Sequence, residues 1–105
     1  MKIKIGNKKR ETSGEYIGRP SPLGNPFFME SEADRNRVCE KYETWLNEKI
    51  SSRDQTIMNE LDQLLSLSLR EEGVILLCWC HPKRCHAESI KNALVRLYES
   101  KEKNQ

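Results

Sequence analysis

The sequence predicts a small α/β domain of Rossmann-like type, with a short, mostly parallel sheet and about three helices. Three observations predict it. Val74 to Cys78 is an unbroken apolar run, short enough for a strand and β-branched at its start, as suits a central strand covered on both faces. That run passes through a loop into a helical pattern, and two further helical patterns precede it. At 105 residues the chain has room for one domain, spanning 1–105, with one modest core.

Lys2 to Ile5 alternates polar and apolar residues, which places Ile3 and Ile5 on one face of a short strand that Gly6-Asn7 ends. Lys8 to Glu15 is polar and reads as a mobile loop. Tyr16 to Phe28 holds three prolines, which bar a regular helix or a central strand. Ile17, Leu23, Phe27 and Phe28 are nevertheless too apolar for a linker. The stretch is expected to be an ordered, rigid loop, either one wall of a binding site or a stiff connector.

Ser31-Glu-Ala-Asp34 resembles a capping box. Val38, Tyr42, Trp45, Leu46 and Ile50 then recur at helical spacing, predicting a helix from about Glu32 to about Lys49. Ser51 to Asp54 separates it from a second apolar stripe, Ile57, Met58, Leu61, Leu64, Leu65 and, at its end, Leu69, that runs to about Arg70. Glu71-Glu72-Gly73 turns the chain into the strand 74–79. From about His86 a third helix follows, with Ile90, Ala93, Leu94, Leu97 and Tyr98 on one stripe and a charged tail, 99–105, expected to fray. The two best strands are expected side by side in parallel, crossed by helices.

A net charge of +2 argues against extended nucleic-acid binding, although Lys8-Lys9-Arg10 and Lys83-Arg84 are short basic clusters. No apolar run approaches the ~18–20 residues of a membrane helix, and the N-terminus lacks a signal-peptide core. A cytoplasmic protein without a membrane partner is the expectation. Three of the four cysteines fall within eight residues, a pattern that in a reducing compartment points to metal, reactivity or buried thiols rather than disulfides. Cys39, inside a helical pattern, reads as a core residue.

Cys78, Cys80, Cys85 and His86 are soft ligands that could hold tetrahedral zinc, although Cys-x-Cys-x4-Cys-His lacks the long spacer of the usual two-knuckle pattern. Buried thiols beside a helix start are an equal alternative. His86-Ala-Glu88 and Pro82-x-x-Cys85 do not make a zinc deaminase, because the order is reversed and the pieces overlap. Pro82 likewise rules out a Cys-x-x-Cys-His haem motif. Cys85, near a helix start and beside Lys83 and Arg84, has the setting of a reactive thiol. An anion site makes fewer demands: free N–H groups at the helix start, charge from Lys83 and Arg84, a stacking face on Trp79 and a guanidinium fork from Arg19. Gly24 would let the backbone approach a ligand, and Asn25 could read an amide-like edge.

Two segments, Tyr16-Ile-Gly-Arg-Pro-x-Pro-Leu-Gly-Asn-Pro-Phe27 and Leu77-Cys-Trp-Cys-x-Pro-x-x-Cys-His86, together resemble the paired signatures of a small domain family of unknown function common in bacteriophage and bacterial genomes. The resemblance falls on Gly18, Arg19, Gly24, Asn25, Pro26 and Phe27, and on Cys78, Trp79, Cys80, Pro82, Cys85 and His86. It implies an organised site, and the phage association implies a nucleotide or nucleotide-derived signal. The leading expectation is a nucleotide-binding protein of phage type, possessing a site between the Gly18–Phe28 and Cys80–His86 loops, that sequesters a host immune signal and forms a homo-oligomer. Two other readings stand beside it. One is an enzyme processing nucleosides or nucleotides through Cys85, His86 or Glu88, and the other is a zinc-stabilised interaction module.

Overall fold

Three parallel strands make the sheet of the computed structural model, which describes residues 1–11 and 13–103. β1 (Ile3–Asn7) and β2 (Glu15–Tyr16) flank a central β3 (Val74–Cys78). Ile3 stands opposite Val74 and Asn7 opposite Cys78, while Tyr16 stands opposite Leu77. The small α/β architecture with a parallel sheet is as the sequence predicts. The apolar run of β3 earns its central place because both edges of that strand are hydrogen-bonded. Its Val74, Leu76 and Cys78 face the helices and join the main core. Leu77, on the opposite face, is buried beneath the Glu11 side chain and Gly14, so a loop rather than a second helical layer covers that side.

The helices are α1 (Arg35–Ser51), α2 (Gln55–Ser68) and α3 (Ala87–Lys103). α2 and α3 pack on the sheet and α1 packs on both of them, around Tyr42, Leu46, Leu61, Leu76, Ile90 and Leu94, each at most 1% exposed. Asp54 caps α2 by accepting the Ile57 N–H at 3.1 Å. α3 runs into the charged tail as far as Lys103, where Lys101 pairs with Asp62 of α2 at 3.7 Å. Asn104 and Gln105, the end of the expected frayed tail, lie outside the described residues, as does Thr12 of the 8–15 loop.

Three details differ from the sequence reading. Gly6 and Asn7 belong to β1 rather than breaking it, because they pair with Leu77 and Cys78, and the Lys8 N–H donates to the Cys78 carbonyl at 2.8 Å. Glu15–Tyr16 is a strand too short to show a period-two pattern. The capping box does not form. Ser31 makes no side-chain cap; Asp34 instead accepts the Glu30 N–H at 3.3 Å, and a 3-10 turn, Glu32–Asp34, precedes α1. Among the described residues no helix is long and apolar enough to cross a membrane.

Candidate functional site

Parallel strands end together, so the loops leaving β1, β2 and β3 meet at one end of the sheet, where α/β domains place their sites. Asn7 ties two of these loops. Its Nδ2 donates to the Trp79 carbonyl at 3.2 Å and to the His81 carbonyl at 2.8 Å. Arg19-Pro20 and His81-Pro82, one in each signature segment, are cis.

His86 joins the two signature segments. A carbonyl only accepts, so the 2.8 Å contact from Nε2 to the Ile17 oxygen puts the ring proton on Nε2. Nδ1 then accepts, and it faces Cys85 Sγ at 3.5 Å. The ring also stands edge-on to Tyr42, centroids 5.0 Å apart, and Tyr42 Oη donates to the Leu23 carbonyl at 2.7 Å. Burial, and secondarily the charge of Arg19, push the His86 pKa below its ordinary 6.5, against the opposing pull of the Ile17 hydrogen bond. The unfolded chain therefore binds more protons below that value. Stability should be full above about pH 6.5 and decline as the pH falls towards the folded pKa. Urea midpoints taken between about pH 7 and pH 5 should show this decline, and His86→Gln should flatten it.

The thiols divide into three settings. Cys78 is buried in the core, its Sγ 3.8 Å from the Gly6 carbonyl. Contact with Cys85 lowers it to about 6 despite burial, and the same contact, followed by burial, pushes Cys85 up. Cys85 caps α3. Its Sγ accepts the Ala87 N–H at 3.4 Å, while Glu88 Oε2 accepts the Cys85 N–H at 3.4 Å. The helix start that the sequence reading left open for an anion is thus partly closed by its own side chains, and Cys85 is not the lowered thiol that a neighbouring Lys83 and Arg84 implied. Cys80 is half-buried, with the Arg35 guanidinium nearby. β3 ends at Cys78, so Cys78 and Cys80 do not share a strand face. Among the described residues no three His, Cys, Asp or Glu side chains stand together in a way that could hold a metal ion.

A cleft of 110 Å³ opens between the proline-rich loop, the start of α1 and the cysteine loop. Six of the residues expected at the site line it: Asn25, Phe27, Cys80, Arg84, Cys85 and His86. The Asn25 Oδ1 accepts the Phe27 N–H at 2.8 Å, so the side chain is fixed by its oxygen within its own loop. Arg84 Nη1 donates to Asn36 Oδ1 at 3.1 Å and keeps further donors for a ligand. The sequence reading missed Met29, Val38 and Arg35; Cys39, buried as expected, also lines the cleft. Arg35 donates from Nη1 to the Arg84 carbonyl at 2.9 Å and pairs with Glu32 at 2.8 Å. A basic residue opening a helix opposes the macrodipole, and that was the available signal. A groove of 450 Å³, lined by Arg37, Lys41 and Trp45, adjoins the cleft across Phe27, which walls both.

The other expected residues lie elsewhere. Lys83 is spent on Glu32 at 3.3 Å, and Glu32 is held near 2 by Arg35 and then Lys83. Trp79 is exposed and bonded to Tyr16, and Arg19 sits over the Phe28 ring. Gly18 lies against Tyr16, and a Cβ on Gly24 would sit 2.8 Å from the Arg19 nitrogen. Both glycines serve close packing within their own loop rather than the approach of a ligand.

The family model of a domain of unknown function (DUF4326) matches residues 2–96, so the match takes in both signature segments and the cleft between them. No curated protein and no solved structure matches the chain significantly.

Proposed function

The chain belongs to the DUF4326 family, whose description assigns no function, and from the site we propose that it binds a nucleotide or nucleotide-derived metabolite. One observation carries the reading. Segments some sixty residues apart in sequence converge on a cleft whose rim holds Asn25 and Arg84 and whose wall, Phe27, opens into a larger groove. The cleft is well below the ~300 Å³ at which small-molecule sites usually begin, so it suits one ring or one phosphate. The rest of the ligand would cross Phe27 into the groove, where Arg37 and Lys41 stand among Glu40 and Glu48 and so offer hydrogen-bond donors and the Trp45 ring rather than net positive charge. Sequestration of an immune signal by a phage-encoded member is the role that such binding would suit, and the sequence signatures are its support.

Titration calorimetry against cyclic, linear and ADP-ribose-type nucleotides tests this. At least one should bind, and Arg84→Ala should weaken it about tenfold or more, the range for a charge-assisted hydrogen bond. Exposed Leu69, outside the cleft and the groove, supplies the control, and Leu69→Ser should leave affinity unchanged. Failure of every nucleotide, or unchanged binding by Arg84→Ala and Phe27→Ala together, would refute the reading. Native mass spectrometry of the purified chain reads bound ligand, zinc and subunit number in one measurement. Turnover of a bound nucleotide would move the protein to the enzyme class.

A further inference from the structure

Beside the cleft lies a second surface that the nucleotide reading does not use. The Trp79 indole is 52% exposed and donates its Nε1 proton to Tyr16 Oη at 3.1 Å. An indole N–H lies in the ring plane, so Tyr16 meets the edge of Trp79 and leaves its faces uncovered. The ring centroids, 6.3 Å apart at an interplanar angle of 70°, agree with that edge contact. Tyr16 Oη in turn donates to the Arg19 carbonyl at 2.7 Å, so Trp79 is held to the proline-rich loop rather than left to swing. In that same loop Phe28 is 75% exposed, with the Arg19 guanidinium 4.1 Å from its ring centre. Lys8 lies 5.2 Å from the Tyr16 ring centre. Two solvent-facing aromatic rings are therefore linked through Tyr16 and Arg19 and flanked by cations. None of these residues lines the cleft.

Charge concentrates in the same region. Residues 8–19 hold four basic residues and two acids in a chain whose net charge is only +2. Lys8, Lys9 and Arg10 are exposed in the turn that follows β1. Open aromatic faces beside a run of cations match the alternation of bases and phosphates along a single strand, in which stacking needs no particular base. A duplex hides its base faces and would gain only the phosphate contacts. An acidic peptide would gain the charge and leave Trp79 and Phe28 unused.

The geometry points to a binding surface for a short single strand of nucleic acid, with bases stacked on Trp79 and Phe28 and phosphates held by Lys8, Lys9, Arg10 and Arg19. Fluorescence anisotropy of a labelled thymidine strand of about ten nucleotides, within the usual single-strand site range, reads it directly. The full chain should bind the strand saturably at low salt. With each of these four cations neutralising a phosphate, the log–log salt slope should be about −3. Trp79→Ala and Phe28→Ala should each weaken binding about tenfold, whereas Arg84→Ala, which tests the cleft, should not change it. Phe28→Ala keeps the test decisive should Trp79→Ala fail to fold, because Phe28 is three-quarters exposed. The proposal is overturned by absence of binding, by equal affinity for the matching duplex, by displacement with polyglutamate at equal charge, or by Phe28→Ala binding as well as the parent.

Discussion

His86→Ala should cost about 3–5 kcal/mol, the range for deleting a large buried side chain while leaving a buried carbonyl without its donor. The ring is 9% exposed and serves two elements at once. Nε2 holds the Ile17 carbonyl, where the proline-rich loop begins, and the ring edge packs on Tyr42 of α1. Tyr42 secures the same loop at Leu23. Removing His86 thus removes the link between the two signature segments, and the cleft between them should open before the sheet does. Urea unfolding would measure the global loss. Hydrogen exchange should show amides of the Ile17–Phe28 loop exchanging faster, with those of α2 following only the global change. His86→Gln, which can place an amide donor near the Ile17 oxygen, should recover part of the loss. A His86→Ala midpoint within about 1 kcal/mol of the parent would show that the ring does not hold the loops together.

That outcome changes how the cysteine-histidine segment is understood. In sequence, Cys78, Cys80, Cys85 and His86 look like four candidate ligands of one kind. In the fold they have separate duties: Cys78 fills the core, Cys85 caps α3, His86 fastens a loop, and Cys80 faces the cleft. Spacing reveals that reactive groups are close along the chain, but the direction of each side chain depends on where β3 stops. It stops at Cys78 because Trp79 and His81 turn their carbonyls to Asn7, a residue 72 and 74 positions earlier. No local pattern carries that information. Long periodic segments were legible for the opposite reason: the stripes of α1, α2 and α3 are local, and each matches a buried face in the fold. The packing of the proline-rich loop is legible in part: Ile17 and Leu23 are buried as their apolarity demands and Phe27 is half-buried, but Phe28, expected as a further anchor, is 75% exposed because the Arg19 guanidinium takes its ring face. Its glycines were read as ligand contacts, whereas Tyr16 and Arg19 of the same loop occupy the space beside them.

The second large effect is expected at the entrance to the central strand. Gly73→Ala should destabilise the domain by roughly 2–5 kcal/mol, from backbone strain and overpacking together. Gly73 has φ +74, in the left-handed region that costs an alanine about 1–2 kcal/mol. A Cβ there would also stand 2.5 Å from Lys2 Cβ and 2.6 Å from the Lys2 carbonyl oxygen. That carbonyl accepts the Val74 N–H at 2.9 Å, the bond that starts the pairing of β1 with β3. The Lys2 backbone cannot retreat without loosening it, and the Lys2 N–H is itself held by the Ser68 carbonyl at 2.8 Å at the end of α2. One added methyl therefore strains a turn, a ladder and a helix end together. Gly73→Asn separates the causes, because asparagine tolerates the left-handed conformation but still carries a Cβ. If contact with Lys2 dominates, as these distances imply, Asn should retain at least half of the alanine penalty in urea unfolding. A parent-like midpoint for Gly73→Asn would assign the effect to conformation alone and show that β1 can shift away from Gly73 without loss. The cleft lies at the other end of β3, so the folded fraction of either variant should bind any nucleotide that the parent binds with unchanged affinity, in contrast to His86→Ala.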